Sequence, residues 1–329
     1  MGAARHKGRI LGSLFDKRFV IVAGKGGVGK STMSAALALV AARAGKRVLI
    51  AELGSKERAA RLLGHDDDVG YSVTKVLENI EVINVQPAPA MHEYGLMKLK
   101  FEKVYAAVFE NPVMRSLTRM IPGMNELVLI GKAWHLEREK NDDGTPRWDT
   151  IIVDAPATGH GISLLVLPHV VSEVVKRGPL ADETREIRDM LIDPERTIMN
   201  IVTLPEEMPV SETLHLEARM GDTLQIQPGY IFINGVWPLP VPDLSMDALK
   251  QLGTQPGLES AADAALKTNR FMTRRAVVQQ AQIARLKGAS QLPKIQIPYQ
   301  FTEGFGFDAV DAISRHVETA MLAQVAEVQ

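Results

Sequence analysis

Residues 24–32 read GKGGVGKST and follow the apolar run FVIVA at 19–23 without a break. Gly24, Gly29, Lys30 and Ser31 satisfy the spacing GxxxxGK[ST], whose chemistry is the holding of a nucleotide triphosphate. Glycines at 24, 26, 27 and 29 permit positive φ and close backbone approach, so that successive N–H groups, Val28 included, can form a nest for phosphate oxygens. Lys30 is expected to reach the β- and γ-phosphates, Ser31 to ligate Mg²⁺ and Thr32 to touch the α-phosphate. An alanine-rich helix over 30–44, closed by Gly45, would bring the positive end of its dipole to the same place.

A carboxylate belongs in such a site, and the sequence offers one. Trp148, Asp149 and Thr150 lead into the buried-type strand IIV at 151–153, which delivers Asp154 into the turn APATGHG. At the end of that strand Asp154 is placed to hold Mg²⁺ through water, and the Pro and Gly after it suit a turn that senses a γ-phosphate.

Lys25 adds a second cation one residue after the first glycine. It is either a solvated loop lysine or a ligand. KGGVGK resembles the deviant Walker A loop of the family containing MinD, ParA, the nitrogenase iron protein, the arsenite-pump ATPase ArsA and the ATPases that target tail-anchored proteins. DAPATGHG is similar to the DTAPTGH second switch of the ArsA and tail-anchored-protein branch. The resemblance implies a dimeric ATPase using ATP and Mg²⁺, with Lys25 reaching the phosphates of the partner's nucleotide. It also implies that Asn234, ending the strand YIFIN at 230–234, reads the adenine edge, which an amide can do by donating and accepting. An asparagine that merely terminates a strand is the plainer alternative. The stretch KIQIPY at 294–299 is similar to the last strand and adenine loop of the family, which puts Pro298 beside the base.

Two departures separate the chain from that family. The first switch of the family carries an aspartate that positions the attacking water. Counted without a gap, that position is Gly54 here, and Glu52 lies two residues earlier. Glycine cannot orient water, so either Glu52 stands in for it or hydrolysis depends on a partner subunit; the assembly is then a homodimer or a heterodimer with a paralogue. The second departure is the absence of cysteine. Arsenite and a cysteine-held zinc clasp both need thiolates, so arsenite pumping is disfavoured. No cysteine and no secretory h-region together indicate the cytoplasm.

A chain of 329 residues with 38 basic and 39 acidic side chains is long enough for a large core and offers no charge excess for nucleic acid. Apolar runs such as 35–42 and 162–171 are too short to be a stable membrane insertion. Short Val- and Ile-rich segments near 19–23, 47–52, 81–85, 149–153, 197–203, 229–234 and 292–297, separated by helical pattern, predict an α/β fold. This is a doubly wound, mostly parallel P-loop NTPase sheet with an inserted helical subdomain. The expected organisation is one P-loop ATPase domain over 1–329 with helical insertions about 88–141 and 162–228.

Those insertions hold the apolar stripe Tyr94, Met97, Phe101, Val104 and Val108, then Val113, Leu117 and Ile121. They also hold methionines between 91 and 124 and at Met190, Met199, Met208 and Met220. Such residues either fill a core or line a groove for a hydrophobic helical client, as the family resemblance implies.

Overall fold

The computed structural model describes residues 14–99, 123–238 and 243–326. Eight strands form one sheet: β1 (Phe19–Ala23), β2 (Val48–Leu53), β3 (Thr74–Leu77), β4 (Ile80–Val85), β5 (Thr150–Asp154), β6 (Thr197–Thr203), β7 (Pro228–Val236) and β8 (Lys294–Pro298). Their order is β3-β4-β2-β5-β1-β6-β7-β8, parallel throughout except for β3, which runs antiparallel to β4 at the edge. Parallel pairing demands crossovers, and helices supply them: α1 (Lys30–Arg43), α2 (Ala59–Leu62), α3 (Pro87–Leu99), α4 (Met124–Arg138), α5 (Thr158–Val174), α6 (Pro179–Ile192), α7 (Glu207–Arg219), α8 (Asp243–Leu252), α9 (Glu259–Ala289) and α10 (Phe307–Ala326). The expected doubly wound α/β architecture is present.

Both faces of the sheet are covered, which is why the strands read as continuous apolar runs. Their side chains still alternate with period two. Phe19, Ile21 and Ala23 of β1, with Leu49, Ala51 and Leu53 of β2, join the core beneath α4, α5, α6 and α7. Val20 and Val22, with Val48 and Ile50, join the opposite core beneath α1 and α10. Every strand expected from the sequence is found within two residues. β3 was not expected: it is short, half-exposed and at an edge, so no apolar run marks it. The expected helical stretch 162–228 is divided by β6, whose seven residues are all buried.

Of the stripe on the first insertion, Phe101, Val104, Val108, Val113, Leu117 and Ile121 lie outside the described residues. The methionines take different roles. Met190, Met199 and Met220 are buried in the core, while Met208 is exposed. Met91, Met97 and Met124 line a mostly apolar cavity of about 480 Å³ between α3, α4 and α6, together with Leu127, Trp134 and Ile187.

The base of the sheet, away from the strands' carboxyl ends, is tied to α4 by one buried carboxylate. Glu137 Oε1 accepts from Arg18 Nε at 2.8 Å and Oε2 accepts from Arg196 Nη2 at 2.8 Å, just before β1 and β6. The Glu137 backbone carbonyl accepts from Arg18 Nη2 as well. Glu137→Ala leaves two guanidinium groups without their shared acceptor in a partly dry place, so it should lower unfolding free energy by about 2–4 kcal/mol. Urea unfolding tests this: a midpoint unchanged from wild type would show that the clasp contributes nothing.

Candidate functional site

The loop between β1 and α1 sits at the carboxyl ends of the parallel strands, the side on which such sheets bind ligands. Glycine is required there by geometry at two positions. A Cβ on Gly24 (φ +148°) would overlap the carbonyl oxygen of Val202, and one on Gly29 (φ +97°) would overlap Asn234 Nδ2. Gly27 also has positive φ (+85°), but Gly26 does not, which corrects the expectation for that residue. Gly26 instead faces the second turn, where an added Cβ would meet Ala157 Cβ at 3.5 Å. Val28 is buried and anchors the loop in the core beneath α1.

Helix α1 begins with Gly29 as N-cap and no side-chain cap, so the first-turn N–H groups of Lys30, Ser31 and Thr32 are directed at the loop's concavity. Helix α5 likewise starts without a side-chain cap, at the end of the turn that follows Asp154. Two helix N-termini therefore flank the loop, and both favour anions. Lys30 Nζ folds back onto the carbonyls of Gly24 and Lys25, at 3.2 Å each. Burial lowers its pKa, against the attraction of Asp154, with Arg58 adding repulsion. Arg58 is a residue that the sequence did not single out; it acts on this site as a nearby charge.

Ser31 Oγ donates to Asp154 Oδ2 at 2.6 Å, joining the two expected metal-binding side chains. Asp154 is 2% exposed, its Oδ1 has no hydrogen-bond partner, and burial pushes its pKa up to about 6 against the Ser31 hydrogen bond and the charges of Lys30 and Arg58. Across the ladder, Glu52 of β2 is the register partner of Asp154. Glu52 is fully buried. Its Oε1 accepts from the backbone N–H groups of Arg58 and Ala59, at 2.9 and 3.0 Å, while Oε2 has no partner. Desolvation raises its pKa to about 7, opposed by the Ala59 N–H, and the neighbouring Asp154 adds to the rise. Two buried carboxylates with one orphaned oxygen each fit a divalent cation held by Ser31, Asp154 and phosphate oxygens, directly or through water.

Gly54, by contrast, lies beyond the end of β2, at φ +59°, with its N–H donating to Val85 O at 2.8 Å. A Cβ there would stand 2.9 Å from Leu129 Cδ1 of α4. Glu52, not residue 54, is thus the acidic side chain of this segment that shares the site with Asp154.

Lys25 points elsewhere. Its Nζ meets Glu212 Oε1 of α7 at 2.6 Å. Glu212 is 187 residues away in sequence, and no local pattern announces it. Asn234 and Pro298 line one cavity of about 240 Å³ with Gly235, Tyr299, Arg275 and Gln279. One amide hydrogen of Asn234 is committed to the loop itself, donating to Val28 O at 2.9 Å.

The Glu52 pKa, raised from 4.5 to about 7, sets a pH dependence. The folded chain then binds more protons than the unfolded one in that interval, so this contribution to stability is complete below 4.5 and lost as pH rises through 7. In buffer free of Mg²⁺ and nucleotide, Glu52→Gln should exceed wild type in stability by about 1–3 kcal/mol at pH 8, with the gap closing toward pH 5. Thermal unfolding curves for the two proteins that run parallel across this range would contradict it.

Comparison with known proteins meets the same residues. The profile of the family described as anion-transporting ATPase (ArsA_ATPase) matches residues 17–179, a span that takes in the loop, Glu52 and Asp154. ATPase BagA of Mycobacterium tuberculosis is 28% identical over 304 residues, 85% of this chain and 87% of that one. An arsenical pump-driving ATPase of Escherichia coli is 27% identical over 252 residues, 70% of this chain but 41% of its own. ATPase GET3 of Kluyveromyces lactis is 23% identical over 235 residues, 60% of this chain and 66% of that one. These similarities identify residues 17–179 of the chain as an ATPase region of the ArsA family, and the chain as a P-loop ATPase.

Proposed function

We propose that the chain is an ATP- and Mg²⁺-dependent dimeric switch that works in the cytoplasm and couples its nucleotide state to a helical binding region. The observation that carries this reading is the Ser31–Asp154 hydrogen bond beside two helix N-termini without side-chain caps. Main-chain N–H groups of the loop and the first turn of α1 would hold the phosphates, and Lys30 would turn from the loop carbonyls to the β- and γ-oxygens. Ser31 and Asp154 would hold Mg²⁺, which when bound neutralises charge between the β- and γ-phosphates. Glu52, with one oxygen fixed by two backbone N–H groups and a pKa of about 7, is suited to orient or deprotonate the attacking water at neutral pH. Asn234 and Pro298 would receive the adenine.

Lys25 is paired within its own chain, so reaching a partner's phosphates requires it to leave Glu212. The partner is a second copy or a paralogue. Gly54, packed on Leu129, favours keeping a hydrolysis-impaired subunit of a heterodimer as the second reading. An aspartate introduced there would carry backbone strain of about 1 kcal/mol whatever its chemistry, so Gly54→Asp is a poor probe of that reading.

The cavity between α3, α4 and α6 supports a hydrophobic helical segment as client. Its wall is apolar and methionine-rich, and methionine adapts to varied partners. The Gly54–Leu129 contact puts α4, one wall of that cavity, directly against the segment after Glu52. Closure around phosphate would thereby be felt in the helical layer. Among the described residues no helix is long and apolar enough to cross a membrane.

Steady-state hydrolysis, nucleotide calorimetry and light scattering on the purified chain test these assignments. Turnover should appear with ATP and Mg²⁺ and fall at least about 100-fold in Lys30→Ala. Lys25→Ala should abolish ATP-dependent dimerisation, and Glu212→Gln should lower the ATP concentration at which it occurs. Tight binding without turnover would select the heterodimer reading; no ATP binding at all would refute both.

A further inference from the structure

Beyond the residues already assigned, the Asn234–Pro298 cavity is held by a side chain of α9. Gln279 lies in the middle of the long helix α9 and is 3% exposed. Its Oε1 accepts from Trp237 N–H at 2.8 Å, and its Nε2 donates to Gly235 O at 3.0 Å. The partners settle the orientation of the amide, because a backbone N–H must meet the oxygen and a carbonyl must meet the nitrogen. Between the two, the carbonyl of Val236 accepts from Tyr299 N–H at 2.8 Å. The three residues after Asn234 are therefore clamped from α9 on one side and from the end of β8 on the other.

Of these clamped residues Gly235 lines the cavity, and Trp237 packs on Tyr299, which also lines it. Gly235 turns the chain at φ +68°, a left-handed conformation that strand pairing does not impose. Trp237, fixed through its N–H, packs its ring within 5.2–5.7 Å of Tyr299, Phe301 and Phe271. Arg275, one turn before Gln279 on the same helix, lies 5.1 Å over the Trp237 ring. A hydrophobic residue at 279 would leave a part-buried N–H and a part-buried carbonyl unpaired, and a carboxylate would set one anionic oxygen against the Gly235 carbonyl. Only a group with one donor and one acceptor at this reach satisfies both.

We infer that Gln279 is a positioning residue for base recognition: by bridging Gly235 and Trp237 it holds Asn234 and, through Trp237, the Tyr299 ring in register with the purine ring of the nucleotide. This rests on the reading of the Asn234–Pro298 cavity as the base site. Gln279 itself need not touch the phosphates, and this separates its role from that of the loop.

Calorimetry with Mg·ATP, Mg·GTP and Mg·tripolyphosphate on wild type, Gln279→Met and Gln279→Glu tests the assignment. Gln279→Met should weaken ATP binding about tenfold, bring the ATP-to-GTP preference toward one and leave tripolyphosphate affinity unchanged. Gln279→Glu keeps the acceptor for Trp237 and should fall between wild type and Gln279→Met; it decides the matter alone if the methionine variant does not fold. Equal weakening of ATP and tripolyphosphate would mark a merely structural role and overturn the inference, as would unchanged ATP affinity and base preference in both variants. A wild-type protein that binds tripolyphosphate as tightly as ATP would instead refute the base site on which the inference stands.

Discussion

The phosphate loop is wedged where no side chain can go. Gly24 lies against the Val202 carbonyl at the end of β6, and Gly29 lies against the Asn234 amide near the end of β7. Asn234 then closes the contact by donating to Val28 O. A single loop thus touches the ends of two strands besides the one it continues, and it can do so only because its backbone is bare. That packing fixes the direction in which α1 starts, which in turn carries Ser31 to Asp154. It also makes the loop's N–H groups available, since a loop padded by Cβ atoms would have to stand off from β6 and β7. The anion-binding character of the site is a consequence of close packing before it is a matter of charge.

Placing Glu52 and Asp154 side by side opposes stability, and the fold compensates only in part. Both carboxylates are buried and adjacent in register, and desolvation dominates each pKa shift. Glu52 recovers two charge-assisted hydrogen bonds from the start of α2, and Asp154 recovers one from Ser31 together with the fields of Lys30 and Arg58. One oxygen on each remains unpaired. Interior positions of a parallel sheet do not retain two orphaned carboxylate oxygens for packing, because valine or threonine would pack at lower cost. Their presence at the carboxyl ends of adjacent strands is intelligible when a cation completes them.

How much of this could be read from the chain alone depended on sequence separation. The loop, the strand that feeds it and Asp154 are local patterns, and the apolar runs of the buried strands are local too. β3 escaped because an edge strand such as TKVL needs no apolar run. Gly26 was grouped with its neighbours because a glycine string does not say which member turns left-handed. Counting along the chain pointed at Gly54, whereas the ladder sets Glu52 opposite Asp154, and register is a property of pairing. The partners Glu212 and Gln279 are 187 and 42–44 residues from the groups they hold, with no periodicity connecting them. Methionine content was ambiguous for the same reason: Met190 and Met199 fill the core while Met91, Met97 and Met124 line a cavity, and composition is blind to that difference.

Helix α4 runs between the base of the sheet and the apolar cavity and meets the segment after β2 on the way. Its last turn is pinned to the sheet base, where Glu137 takes guanidinium groups from Arg18 and Arg196. Higher up, Leu129 leans on Gly54, directly after the strand that carries Glu52. Met124 and Leu127, toward the other end of the same helix, line the apolar cavity. Packed interfaces transmit loads because they do not compress. Any rearrangement of residues 52–58 around a phosphate would press on Leu129 and through it on α4. The glycine at 54 is suited to that task, since it brings the main chain to the helix with no side chain between to absorb the motion.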